Sequence, residues 1–124
     1  MELYDIYDNQ GQDGKDNKEA FEELPIQVQY FFASMQKSIT QRVENEVRKK
    51  FGQAGINDLK KSSGFRSYKV NTRWGGVPDS LHLFSCASDY RKYGIFARNP
   101  IPVPSCLECI DSGDCWHVQM KRGK

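Results

Sequence analysis

Seven apolar residues, Val28, Phe32, Met35, Ile39, Val43, Val47 and Phe51, recur at intervals of three and four through the middle of the chain. Side chains at that spacing stack on one face of an α-helix, so the run reads as a single long amphipathic helix. Pro25 suits its first turn, where a missing N–H costs nothing, and Gly52 is a natural stop. A helix with one apolar stripe is stable only against a second layer, which the remaining sequence must supply.

Beyond Gly52 the helical period ends, and glycines recur at 55, 64, 75, 76 and 94. Leu59–Arg66, Ser85–Arg91 and Trp116–Lys121 read as short strands. The last alternates, with Trp116, Val118 and Met120 on one side and His117, Gln119 and Lys121 on the other. Ser67–Trp74 suits one or two helical turns, and Asn99-Pro-Ile-Pro-Val-Pro104 an extended loop. The expected fold is α+β, a long amphipathic helix packed on a small antiparallel sheet. A chain of 124 residues has room for one domain, here 25–124. Residues 1–24, rich in Asp, Asn, Gln, Gly, Glu and Lys, are expected to form a polar arm, mobile or loosely docked.

A formal charge of +2 is near balance, and Arg48-Lys49-Lys50 is a short basic helix end, so no nucleic-acid partner is expected. No run is long and apolar enough to span a membrane, and the acidic start is unlike a signal peptide; synthesis in the cytoplasm and a monomeric state are expected. Without a secretory signal, the four cysteines do not imply a disulfide framework. Cys106, Cys109, Cys115 and His117 together would match a Cys₃His zinc knuckle, although Cys115-Trp-His117 is tight for two ligands on one ion. A thiol pair or disulfide in Cys106-Leu-Glu-Cys109 that pins the proline loop is the better reading of these cysteines, and a Cys109–Cys115 link is also open.

The two histidines carry the sharper signal. His82 lies seven residues before Asp89, and His117 three residues after Asp114. Two imidazoles and one carboxylate form a three-ligand shell with a fourth position left for water, the ligand count of a catalytic zinc site. Antiparallel pairing of the strands bearing Asp89 and His117 would bring those two together. Strand positions three apart point to opposite faces, so a turn or bulge around Cys115 would be needed for Asp114 to join them.

The runs Gly64-Phe65-Arg66-Ser67, Gly75-Gly76-Val-Pro-Asp-Ser80-Leu-His82, Ala87-Ser-Asp89 and Trp116-His117-Val118 resemble the zinc D-alanyl-D-alanine carboxypeptidase family. Its relatives include VanX-type dipeptidases, phage endolysins cutting the L-alanyl-D-glutamate bond and, distantly, the hedgehog signalling domain. The resemblance implies a fold of that kind and one Zn²⁺ held by His82, Asp89 and His117. It implies Asp114 as general base, Arg66 gripping a substrate carboxylate or carbonyl with its planar fork, and Ser80 fixing the metal loop or touching substrate. The expected function is a zinc-dependent peptidase of phage-related type, acting on peptidoglycan stem peptides as a D-Ala-D-Ala carboxypeptidase or L-Ala-D-Glu endopeptidase. Phage-assisted release would then carry it to the cell wall. The alternative is a zinc-binding but catalytically silent module of the same fold. The chain departs from the family pattern with Asp114 in place of Glu, Ser85 in place of Gly, and a short proline-rich segment between Asp89 and Asp114.

Overall fold

The computed structural model of the chain describes residues 11–76 and 80–121. The first ten residues of the expected arm, and Val77–Asp79 of the turn before Ser80, lie outside the described residues. The helical stripe forms α2, Ile26–Asp58, with Ile39, Val43 and Val47 fully buried. Gly52 interrupts it rather than ending it: at φ 65, ψ −154 it takes a conformation open to glycine, and helix resumes as far as Asp58.

Four antiparallel strands follow: β1 (Lys61–Ser63), β2 (Ala87–Arg91), β3 (Leu107–Asp111) and β4 (Cys115–Met120), in the order β1-β2-β4-β3. A short helix α3 (Tyr68–Arg73) and a 3₁₀ turn (Leu81–Phe84) lie between β1 and β2. The α+β fold of a long helix and a small antiparallel sheet is thus as expected. Strand β3 was not foreseen; it pairs with β4 across the hairpin.

The two faces of the sheet have different duties. Tyr90, Leu107 and Val118 join Ile39, Val43 and Val47 of α2 in the core, completed by Phe96 and Ile101. Ser88 belongs to the same face, since its hydroxyl donates to Gln36 Oε1 of α2 (2.9 Å). Their strand neighbours Asp89, His117 and Gln119 therefore project from the opposite face, away from α2. Gln36, wholly buried, also donates from Nε2 to the carbonyls of Ser85 and Ala87 (2.9 and 2.8 Å). One amide thus ties the entry of β2 to the long helix.

The N-terminal segment differs from expectation. Gly11–Glu23 form a helix, α1, whose Phe21 is fully buried. Phe21 meets Phe65 edge-on at 5.7 Å, and Phe32 of α2 closes the cluster at 5.6 Å from Phe65. Asn17 Oδ1 accepts from the backbone N–H of Ser67 at 2.8 Å, while Arg73 of α3 pairs with Asp13 and Asp16. The polar composition concealed this docking because its contacts use one aromatic ring and several polar side chains in place of an apolar stripe.

Candidate metal centre

The register of the sheet assembles the site. Asp89 of β2 and His117 of β4 are direct antiparallel partners. His82 arrives from the 3₁₀ turn, which Ser80 caps by accepting from the His82 N–H (3.3 Å). His82 Nε2, Asp89 Oδ1 and His117 Nδ1 form a near-equilateral triangle: 3.2 Å between the imidazole nitrogens, and 3.2 and 3.0 Å from each to the carboxylate oxygen.

Each corner is oriented from behind. His82 Nδ1–H donates to the Gly64 carbonyl at 2.7 Å, leaving the Nε2 lone pair to point inward. His117 Nε2–H donates to Gln119 Oε1 at 2.7 Å, leaving Nδ1 inward. The other oxygen of Asp89, Oδ2, accepts from Arg66 Nη2 at 3.1 Å, and that nitrogen also donates to Ser63 Oγ at 3.2 Å. Three electron-pair donors thus converge with their outer atoms already satisfied, an arrangement that asks for a cation. Tetrahedral zinc with bonds of about 2.0–2.2 Å sets its ligand atoms about 3.3–3.6 Å apart, within a few tenths of the observed triangle. The residues fit a metal ion.

Electrostatics agree. Burial would raise the Asp89 pKa, but the adjacent imidazoles of His117 and His82, which favour the charged carboxylate, outweigh it and hold the carboxyl well below the usual range. Burial depresses His82, favouring its neutral, ligating form. Burial also acts against a charged His117, yet Asp89 and Gln119 prevail and raise it.

A model of the peptidase M15 family matches residues 11–107, well over half of the 124 residues. The chain belongs to the peptidase M15 family. Comparisons with curated proteins and with solved structures gave no match. The M15 match covers Arg66, Ser80, His82 and Asp89 but stops short of His117, which joins the site through the pairing of β2 with β4.

Among the described residues, the structure brings together His82, Asp89 and His117, with Arg66 and Ser80 immediately behind them. It does not bring Asp114 with them. Asp114 is exposed in the turn between β3 and β4, and β4 pairs without a register shift from Cys115 to Gln119, so the bulge that would swing it inward is absent.

The cysteine knuckle does not form either. Cys109 packs on the core side, Cys106 is exposed beside Arg42, and Cys115 shares the side of β4 that carries His117. All four thiols are free. Trp116 packs against the core and donates to the Phe96 carbonyl at 2.8 Å.

Two participants escaped the sequence reading. Gln119 holds His117, and Glu108 holds Gln119, accepting from its Nε2 at 2.6 Å. The alternation that put Gln119 on the His117 side was the available signal for the first. Nothing announced the second, because β3 was unseen.

Proposed function

We propose that this M15 chain is a zinc-dependent peptidase that hydrolyses the peptide stems of peptidoglycan, as a D-Ala-D-Ala carboxypeptidase or an L-Ala-D-Glu endopeptidase. The observation that carries the proposal is the inward convergence of His82 Nε2, Asp89 Oδ1 and His117 Nδ1, each backed by its own hydrogen bond. Zinc bound there would supply Lewis-acid polarisation of a peptide carbonyl and a water acidified to a pKa of about 7.

The chain's residues divide the remaining work. His82 and His117 each hold one proton outward, on Nδ1 and Nε2, so that both inner nitrogens stay available. Arg66 keeps Asp89 oriented through Nη2, and its guanidinium, partly exposed, offers a donor edge to a substrate carboxylate or carbonyl. Ser80 fixes the backbone of the His82 turn. Asp114 is the proposed base, taking a proton from water and returning it to the leaving amine. It rides on a turn containing Gly113 at φ 86, and must come within about 3 Å of its proton to contribute on the order of 10²- to 10⁴-fold.

The exposed position of Asp114 favours a second reading, a zinc-holding module without turnover. Incubating zinc-loaded protein with peptidoglycan, with and without a chelator, and weighing the products by mass spectrometry separates the two. Chelator-sensitive release of D-alanine marks a carboxypeptidase, and cleavage within the stem an endopeptidase. No product from protein carrying one zinc per chain selects the silent module. His82→Ala and His117→Ala should each lose both metal and product.

A further inference from the structure

Glu108 and Gln119 form a chain of hydrogen bonds that ends on the outer nitrogen of His117. They are cross-strand partners on β3 and β4, so the sheet register itself places the two side chains together. An ionised carboxylate can only accept hydrogen bonds, so Glu108 Oε1, at 2.6 Å, must face the amide NH₂ of Gln119. That choice turns Gln119 Oε1 toward His117 Nε2 at 2.7 Å, and an amide oxygen can only accept. His117 must then carry its proton on Nε2 and present the Nδ1 lone pair to Asp89 Oδ1 and His82 Nε2. Reversing the Gln119 amide would set its oxygen against the carboxylate and lose that bond, while its NH₂ would face Nε2 and favour the opposite His117 tautomer, with the proton on Nδ1.

We infer that Glu108 and Gln119 are positioning residues that set the tautomer and ring orientation of His117 for metal binding. The two histidines are thus held by different means. His82 donates to a backbone carbonyl, which no substitution removes, whereas His117 depends on two side chains. Partners in this outer position raise the basicity of the ligand and are worth about 10- to 100-fold in metal affinity. The inference rests on the metal reading above, but its first consequence, the tautomer, belongs to the metal-free protein.

The test labels the protein with ¹⁵N-histidine and reads both tautomers from long-range proton–nitrogen correlations, metal-free, at about pH 9, well above the ordinary imidazole pKa of about 6.5. Zinc affinity is measured in parallel by competition with a chromogenic chelator. In the unaltered protein His117 should show the Nε2–H form, as a single tautomer. Gln119→Leu should mix the His117 tautomers, leave His82 in its Nδ1–H form, and lower zinc affinity about 10- to 100-fold. Glu108→Gln, which no longer dictates the direction of the amide, should mix the His117 tautomers to a lesser extent. The double variant Glu108→Gln/Gln119→Glu rebuilds the chain with its donor and acceptor exchanged, and should restore both tautomer and affinity.

A His117 tautomer unchanged in Gln119→Leu, or no recovery in the double variant, would overturn the inference. Should Gln119→Leu fail to fold, Glu108→Gln decides the same question, and an unchanged tautomer there also overturns it. If the unaltered protein takes up no zinc, the metal reading fails, while the tautomer comparison still decides the role of the pair.

Discussion

Asp89 is the residue on which the site turns, because Oδ1 faces both imidazoles while Oδ2 is anchored by Arg66. A metal takes its ligands deprotonated, so the order in which the three groups lose protons sets the pH of uptake. Asp89 is held low and His82 is depressed by burial, whereas His117, despite its burial, is raised by Asp89 and Gln119. His117 is therefore the last to release its proton as pH rises. Zinc affinity should fall as pH drops, and the bend in its pH profile, set by the raised His117, should lie above the ordinary imidazole value of about 6.5; chelator-competition titrations at a series of pH values measure it, and affinity that stays level from neutral pH down past 6.5 would contradict the assignment. Ser85 poses a different residue-scale question. It stands at φ 61, where an L-residue costs about 1–2 kcal/mol, and its buried hydroxyl donates to the Phe32 carbonyl at 2.8 Å. Ser85→Gly relieves the backbone but loses a bond worth about 1 kcal/mol, so denaturant unfolding should show a change within about 1 kcal/mol in either direction. Ser85→Val loses the bond without relief and adds a β-branched side chain, and should destabilise by about 2 kcal/mol or more. The convergence of His82, Asp89 and His117 was legible in the sequence because their spacing and flanking residues carried the resemblance. The residues behind them, Gly64 through its carbonyl, Gln119 and Glu108, were not, because backbone acceptors and cross-strand partners leave no local pattern.

Among the elements, those with an uninterrupted period were read correctly. The stripe from Val28 to Phe51 foretold α2, and the alternation around His117 foretold β4. Strand β3 has only Leu107 buried among its five residues and follows a proline-rich loop, so it offered too little contrast to stand out. The junction of α2 with β2 rests on Gln36, which serves Ser85 O, Ala87 O, Ser88 Oγ and Lys61 Nζ at once. Gln36→Leu would leave buried carbonyls without their donor, at about 1–3 kcal/mol for each group stranded. A loss of about 2–4 kcal/mol in denaturant unfolding is expected, with zinc affinity falling as the His82–Asp89 connection loosens. The clamp between α1 and α3 should respond to acid. Arg73, with help from Gln12, holds the Asp16 carboxyl below its ordinary value. A depressed carboxyl contributes stability above its unfolded pKa of about 4 and loses it as pH falls through the lower folded value. The Gln12 side-chain amide, which donates to Asp16 Oδ1 at 3.0 Å, reports on the same carboxyl. Its proton resonance should hold steady down to about pH 4 and move toward the unbonded position below that.

At the scale of the molecule, the N-terminal helix reaches the candidate metal centre through the segment 63–67. Residues 63–67 support the site from one side: Ser63 and Arg66 bind one another, Arg66 holds Asp89, and the Gly64 carbonyl holds His82. The same short segment is held from the other side by α1, through Asn17 to the Ser67 N–H and through Phe21 to Phe65. The His82 turn is laced to it as well, since the Arg66 N–H donates to the His82 carbonyl at 3.0 Å. A composition-based division at residue 24 would cut through this support. Phe21→Ala removes a fully buried ring and should cost about 3–5 kcal/mol in denaturant unfolding. The more telling quantity is metal affinity. Neither Phe21 nor Asn17 belongs to the ligand cluster, so a helix that merely covered the surface would leave zinc binding unchanged in whatever protein remains folded. If α1 instead sets the position of Gly64 and Arg66, then Asn17→Ala, a milder change than loss of the ring, should weaken zinc binding several-fold while most of the protein stays native. Chelator competition alongside far-ultraviolet circular dichroism reads both quantities on one sample. Equal zinc affinity in folded Asn17→Ala and the unaltered protein would reduce α1 to a structural cover and return the site to β1, β2, β4 and the His82 turn alone.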